Sequence, residues 1–240
     1  MKKKRLDEIL IGRGIAKDKR DAFVRVTEGD IFVEGQKAVS PAQQFAPETP
    51  IRVRERSPYV GRGGFKLAAA LEAFHIDPTD KVCADIGAAT GGFTDVLLQR
   101  GAAKVYAIDA GGGKLALKLR EDPRVVVMEE TNILHLSSLP EPIGLLVADL
   151  SFTSLRYLLD VMKKFLAPHA EVVTLFKPQY EVAEHELSHG IVTDRGARER
   201  ALREFLAYAN EHHWEVMNTT ESPIPGSKGN IEYLVHLKSL

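Results

Sequence analysis

The sequence has little sulfur chemistry and few aromatic residues: one cysteine (Cys83), one tryptophan (Trp214) and 7% aromatic residues among 240. A lone thiol excludes an internal disulfide framework and fits a reducing compartment. Long apolar runs are also missing. The longest are strand-sized, as in "IGLLVAD", whereas a membrane-spanning helix needs roughly 20 apolar residues. The basic opening "MKKKRLDEILIG" is not followed by the apolar core of a signal peptide, so a soluble cytoplasmic protein is expected. Internal repeats and low-complexity tracts are absent. With 44% hydrophobic residues the chain can still bury a sizeable core, as one large or two smaller domains.

Net charge is only −1, but it is unevenly spread. Residues 1–60 carry 13 Lys+Arg against 9 Asp+Glu, a balance of +4, and the remainder carries 19 against 24, a balance of −5. Within the first 20 residues the ratio is 8 to 3. A small basic module on a larger acidic one suggests an anionic partner held at the N-terminal end. Residues 1–59 read as a compact α+β domain. Leu6, Ile9 and Leu10 mark one helical face, and Ala22, Phe23 and Val26 mark another, with Asp18 placed to cap it. "GDIFVEGQ" and "PIRVRER" alternate like strands.

Residues 60–240 have a different texture. A helix carrying Leu67, Ala70, Leu71 and Phe74 leads into alternating strands and helices. The strands are "KVCADI", "AKVYAID", "RVVVME", "IGLLVAD" and "AEVVTLF", with helices expected from Gly92, Lys114 and Thr153 and over Ala197–His212. "WEVMNTT" and "IEYLVHLK" close the chain as two successive strands, expected to form an antiparallel hairpin at the sheet edge. Repeated βα units with apolar strands mean an α/β fold around a mostly parallel sheet covered on both faces.

Ligands of such sheets bind beyond the carboxyl ends of the strands. The first full strand runs into "DIGAATGGFTD", where Gly87, Gly91 and Gly92 let backbone approach a ligand and the next helix presents free N–H groups. The spacing G-x-x-x-G-G departs from the pyrophosphate fingerprint G-x-G-x-x-G. Asp109 ends the second strand, where a carboxylate can take two ribose hydroxyls. A nucleoside without a diphosphate fits, and S-adenosylmethionine is such a molecule. The fourth strand ends at Asp149 and the fifth at Lys177, so both should face one crevice; Lys66 precedes the sheet and Glu232 lies in the final strand. Methyl transfer to an oxygen needs an aligned, deprotonated hydroxyl. Two adjacent ammonium groups favour loss of a proton from one of them, and nearby carboxylates would hold both in place.

"RGGFKL", "DIGAATGGFTD", "VADLSFTSL", "LFKPQYE" and "GSKGNIEYL" occur in the order seen in TlyA-type (haemolysin A-like) ribosomal RNA methyltransferases, within the FtsJ-type group of ribose 2′-O-methyltransferases. The resemblance covers nearly the whole chain. "RLDEILIGRG…DAFVRVTEGDIFVEG" is similar to the RNA-binding module first described in a small-subunit ribosomal protein. The resemblance implies a Rossmann-like methyltransferase fold and a catalytic Lys66, Asp149, Lys177 and Glu232, with Lys177 as central base or hydroxyl-steering group. It implies S-adenosylmethionine at Asp85, Gly87, Gly91, Gly92, Asp109, Asn132 and Asp149, and a cytidine ribose of ribosomal RNA, free or in a subunit, as acceptor. No metal, membrane or obligate protein partner is implied.

The chain departs from the family pattern in places. Gly112 and Lys114 stand where a tyrosine and a glutamine are usual, an arginine common after the asparagine of "TNILHL" is missing, Asp18-Lys19 replaces a Ser-Arg pair, and Gly61 replaces a serine. Other readings make distinct demands. "HELSH" matches the zinc pattern H-E-x-x-H, but Gly190 would end any helix at once, so a loop or frayed helix beside the RNA cleft is expected. Arg198, Arg200 and Arg203 alternate with Glu199 and Glu204 as a solvated helix face. A pore-forming haemolysin would need a spanning helix or a barrel hairpin. A non-catalytic RNA-binding assembly factor would keep the fold without activity, and a dehydrogenase would need the dinucleotide glycine spacing.

Overall fold

A computed structural model describes residues 3–54 and 57–239. The chain divides into two compact units, Met1–Pro58 and Tyr59–Leu240.

The first unit packs two helices against short strands. β1 (Lys4–Arg5) pairs with β4 (Gln44–Phe45); α1 (Leu6–Gly12) and α2 (Lys19–Thr27) follow β1; β2 (Ile31–Val33) lies between β3 (Gln36–Lys37) and β5 (Ile51–Val53). The last residues of the expected second strand, Glu55 and Arg56, lie outside the described residues. Leu6, Leu10, Ala22, Val26 and Ile31 form the core. Asp18 accepts a hydrogen bond from the Asp21 N–H at 2.8 Å, satisfying an otherwise unpaired donor at the start of α2. Phe23 corrects the sequence reading. Ala22 and Val26, one turn apart, take the buried face, which leaves Phe23 about 100° round the helix and 56% exposed. Glu34 and Gly35, with φ of 51° and 80°, turn β2 into β3. Two residues at positive φ match the twist of a tight hairpin.

The second unit is a seven-stranded sheet between two helical layers. Its strands are β6 (Val82–Ile86), β7 (Lys104–Ile108), β8 (Val125–Met128), β9 (Ile143–Ala148), β10 (Leu166–Phe176), β11 (Trp214–Glu221) and β12 (Tyr233–Ser239), in the order β11-β12-β10-β9-β6-β7-β8. The five strands from β10 to β8 are parallel. α3 (Gly63–Ala73) and α4 (Gly92–Gln99) bury Leu67, Leu71, Val96 and Leu97 on one face of the sheet. α6 (Arg156–Lys163) and α7 (Arg195–Glu211) bury Leu158, Leu159 and Phe205 on the other. With both faces covered, no alternation of apolar and polar residues is needed, and the strands read as unbroken apolar runs such as Leu145–Leu146–Val147.

The closing strands form the expected antiparallel pair at the sheet edge, with β11 outermost and β12 beside β10. Two details differ from the sequence reading. The helix expected from Lys114 is a single turn, α5 (Leu117–Arg120). The amides of Gly113, Lys114 and Leu115 all donate to the Glu129 carboxylate, which fixes that stretch as a loop before any helix starts. Arg120, its hydrogen-bond partner, together with these amides holds Glu129 down to about 2. α6 begins at Arg156 and not Thr153, because the Ser154 hydroxyl and the Leu155 N–H are both engaged by Glu181 at 2.8 Å. Burial raises Glu181 above the ordinary carboxylate range.

Candidate active site

Three adjacent segments at the carboxyl ends of β6, β9 and β10 build the site. β6 gives way to a loop in which Gly87 and Gly91 have φ of 83° and 92°. A Cβ on Gly87 would lie 2.4 Å from the Asp149 carbonyl oxygen, and one on Gly92 would lie 2.9 Å from the Gly64 nitrogen. Both are close approaches of backbone to backbone, which no side chain can relieve. Asp149 follows β9, its N–H bonded to the Ile86 carbonyl at 2.9 Å. Lys177 follows β10, and Pro178 then starts a short turn, Pro178–Tyr180, that stops the strand at that lysine. Glu232 stands one residue before β12, not within it as the pattern suggested.

Gly63, Asp85, Gly87, Ala89, Gly92, Phe93 and Asp149 line a cradle of about 120 Å³. A larger cavity of about 270 Å³ shares Gly63, Gly87, Ala89 and Asp149 with it and adds Lys66, Ser151, Lys177, Gln179 and Glu232. The two spaces therefore adjoin at Asp149. In the cradle, Asp85 is fully buried. Its Oδ2 accepts from the Thr94 N–H at 2.8 Å and the Thr94 hydroxyl at 2.6 Å, while Oδ1 has no protein partner. Burial pushes this carboxyl up to about 7, with Asp149 and Asp109 adding like charge.

The larger cavity holds two ion pairs, the first buried and the second half-buried at Asp149. Lys66 Nζ lies 2.5 Å from Glu232 Oε2, and Lys177 Nζ lies 2.6 Å from Asp149 Oδ1. Lys66, Lys177 and Glu232 are each at least 90% buried, so an unpaired charge at any of them would be costly. Gln179 turns its amide N–H toward Glu232 Oε1 at 3.4 Å, and Gly226 leaves no room for a Cβ beside that carboxylate. The Lys177 ammonium also donates to the Ser151 hydroxyl at 3.1 Å.

Not every residue singled out from the sequence reaches these walls. Lys66, Asp85, Gly87, Gly92, Asp149, Lys177 and Glu232 line one or both spaces. Gly91 instead packs on α5, where a Cβ would strike Leu119 and Leu115. Asp109 braces the glycine loop, accepting from the Ala89 N–H at 2.9 Å and the Gly111 N–H at 2.7 Å, with Lys114 3.7 Å away. Asn132 is exposed, and its side chain caps the turn Ile133–His135 through the Leu134 N–H. Sequence reasoning missed Ser151, Gln179, Phe152 and Tyr180. All four sit inside quoted motifs, within three residues of Asp149 or Lys177, but nothing in their spacing separates them from ordinary loop residues.

A third cavity of about 390 Å³ adjoins the second through Ser151, Gln179 and Tyr180 and is walled by Phe152, Leu187, Lys228 and Asn230. Phe152 is 90% exposed, has φ of 66°, and its ring centroid lies 5.6 Å from that of Tyr180. A bulky residue at positive φ with a bare ring is unusual and points to a use. His185 and Glu186 of "HELSH" complete the single turn Glu184–Glu186, and Leu187 follows on this cavity wall. No group of three metal-ligating side chains occurs among the described residues. Arg198 corrects its reading as solvated: its guanidinium donates to the carbonyls of Val192 and Thr193 at 3.0 Å.

The chain is similar to known proteins along nearly its whole length. Residues 59–239 match the FtsJ-like methyltransferase family. The chain is 42% identical over 243 residues to the 16S/23S rRNA (cytidine-2′-O)-methyltransferase TlyA of Mycobacterium tuberculosis, covering 98% of this chain and 90% of that protein. It is 39% identical to Hemolysin A of Brachyspira hyodysenteriae, covering 97% of this chain and 98% of that one. A solved structure of a hemolysin-named protein from Streptococcus thermophilus superposes with a TM-score of 0.75 at 36% identity, over 100% of this chain and 89% of that one. Among the described residues no helix is long and apolar enough to cross a membrane.

Proposed function

Because this chain belongs to the FtsJ-like methyltransferase family, we propose that it methylates the 2′-hydroxyl of a cytidine in ribosomal RNA, using the cavity around Lys177. The observation that carries the reading is the meeting of two lysines and two carboxylates in one cavity that adjoins a glycine cradle. The cradle fits S-adenosylmethionine on its own chemistry. Its glycines leave backbone exposed where a Cβ would collide, and the unpartnered Asp85 Oδ1 is an acceptor suited to a cationic group. Asp85, Gly87, Gly92 and the Asp109 loop would hold the donor. When bound, S-adenosylmethionine supplies a methyl group on a positively charged sulfur.

The chain's own residues would do the rest. Lys177 enters the step as the free amine: its Nζ takes the proton of the ribose hydroxyl, and Asp149 balances the ammonium that results. Lys66, anchored by Glu232, directs its remaining N–H groups at the acceptor oxygen. The third cavity offers room for the acceptor base, with Phe152 as a stacking surface for a base drawn out of its helix. The basic N-terminal unit would grip phosphates, as its charge balance suggests.

The test is a pair of substitutions assayed in single turnover with labelled methyl donor and unmodified ribosomal subunits. Lys177→Ala should lose roughly 10²–10⁴-fold in rate while cofactor affinity holds. Lys177→Arg should not restore the rate, because a guanidinium does not give up its proton. Recovery with Arg would reduce Lys177 to a steering charge.

A further inference from the structure

The Lys177 nitrogen has two close partners, and they differ in kind. Asp149 Oδ1 lies 2.6 Å away, but the approach is bent, and that oxygen gains no aligned hydrogen bond from it. The Ser151 hydroxyl at 3.1 Å is the aligned partner among the described residues. Asp149 therefore supplies chiefly the counter-charge, and Ser151 the aligned hydrogen bond. An amine that is to accept a proton must point its lone pair at the acceptor oxygen, and rotation about the Cε–Nζ bond permutes the three positions available. One N–H committed to Ser151 and one turned to the Asp149 side leave a single position for an acceptor held in the cavity that all three residues line.

We infer that Ser151 is a positioning residue for methyl transfer: its hydroxyl fixes the rotation of the Lys177 amine so that the lone pair meets the acceptor hydroxyl. The inference rests on the proposed reading of Lys177 as the proton acceptor. Ser151 lies on the loop just after Asp149, so the chain that sets the counter-charge also sets the direction. Its side chain is exposed to the second and third cavities and carries no packing load, which lets it be altered without opening the core.

The experiment measures single-turnover methyl transfer by the full chain and by Ser151→Ala, Ser151→Thr, Lys177→Ala and the double variant Ser151→Ala/Lys177→Ala. Cofactor affinity by calorimetry and the RNA concentration dependence are measured beside it. Ser151→Ala should lose roughly 10- to 100-fold in rate at saturating RNA, the scale of a misaligned reacting group. Its cofactor Kd, RNA KM and melting temperature should stay within experimental range of the parent. Ser151→Thr, which keeps a hydroxyl, should recover most of the rate. In the Lys177→Ala background the serine substitution should change nothing, because no amine remains to orient. A parent-like rate for Ser151→Ala would overturn the inference, as would a loss confined to RNA KM or an equal loss in both backgrounds. No transfer by the unaltered chain would instead overturn the reading on which it stands.

Discussion

Asp85 shows how a single buried carboxyl can carry both stability and ligand chemistry. Its ordinary value near 3.8 is raised to about 7, chiefly by burial. Between roughly pH 4 and pH 7 the folded chain keeps this proton and the unfolded chain has lost it. The folded state binds more protons across that window, so its stability falls as pH rises through it and levels off above about 7. Asp85→Asn keeps an oxygen for the two Thr94 donors and removes the titration. Melting curves from pH 5 to pH 8 should therefore show the variant gaining on the parent, by up to a few kcal/mol (order of magnitude, from about 1.4 kcal/mol per unit). Parallel curves would mean that Asp85 is ionised at little cost. The same variant should bind S-adenosylmethionine more weakly, since the unpartnered oxygen becomes an amide.

At the scale of elements, the site depends on turns whose shape only certain residues allow. Gly87 joins β6 to its loop at φ 83°, directly against the backbone of Asp149. Gly87→Ala would suffer twice, from the left-handed backbone and from a clash that only movement of β9's end can relieve. A loss of about 1–3 kcal/mol is expected in denaturant unfolding, with methyl-donor binding abolished in calorimetry. Unchanged binding would show that the cradle lies elsewhere. The elements themselves were largely legible in the sequence. Apolar runs such as "IGLLVAD" and glycines at strand ends gave strands and loops close to their observed bounds. What escaped were features set by long-range partners. Glu129 holds Gly113–Leu115 out of a helix from a separate strand end, and β12 slots between β10 and β11, which no local pattern records. Asn132 was named from the family resemblance and Asp109 from its strand end as well as the resemblance; that their oxygens also cap a turn and brace a loop was not legible from either. Of the site, the acidic and basic strand ends were legible because charge is rare there; Ser151 and Gln179 were not, because neutral loop residues carry no such contrast.

At the scale of the whole molecule, charge and chemistry are divided along the chain. The N-terminal 60 residues hold the positive excess of +4, while both lysine–carboxylate pairs belong to the unit from Tyr59 onward. That division suits a protein that grips a polyanion with one unit and alters one of its sugars with the other. The central claim is the identity of the atom methylated, and it is tested most directly by mapping. The full chain is incubated with labelled S-adenosylmethionine and unmodified ribosomal subunits, and the RNA is then cleaved in alkali. The account predicts label in an alkali-resistant dinucleotide whose first residue is 2′-O-methylcytidine, since a methylated 2′-oxygen cannot attack the adjoining phosphate. Label on a base, recovered in ordinary mononucleotides, would contradict it.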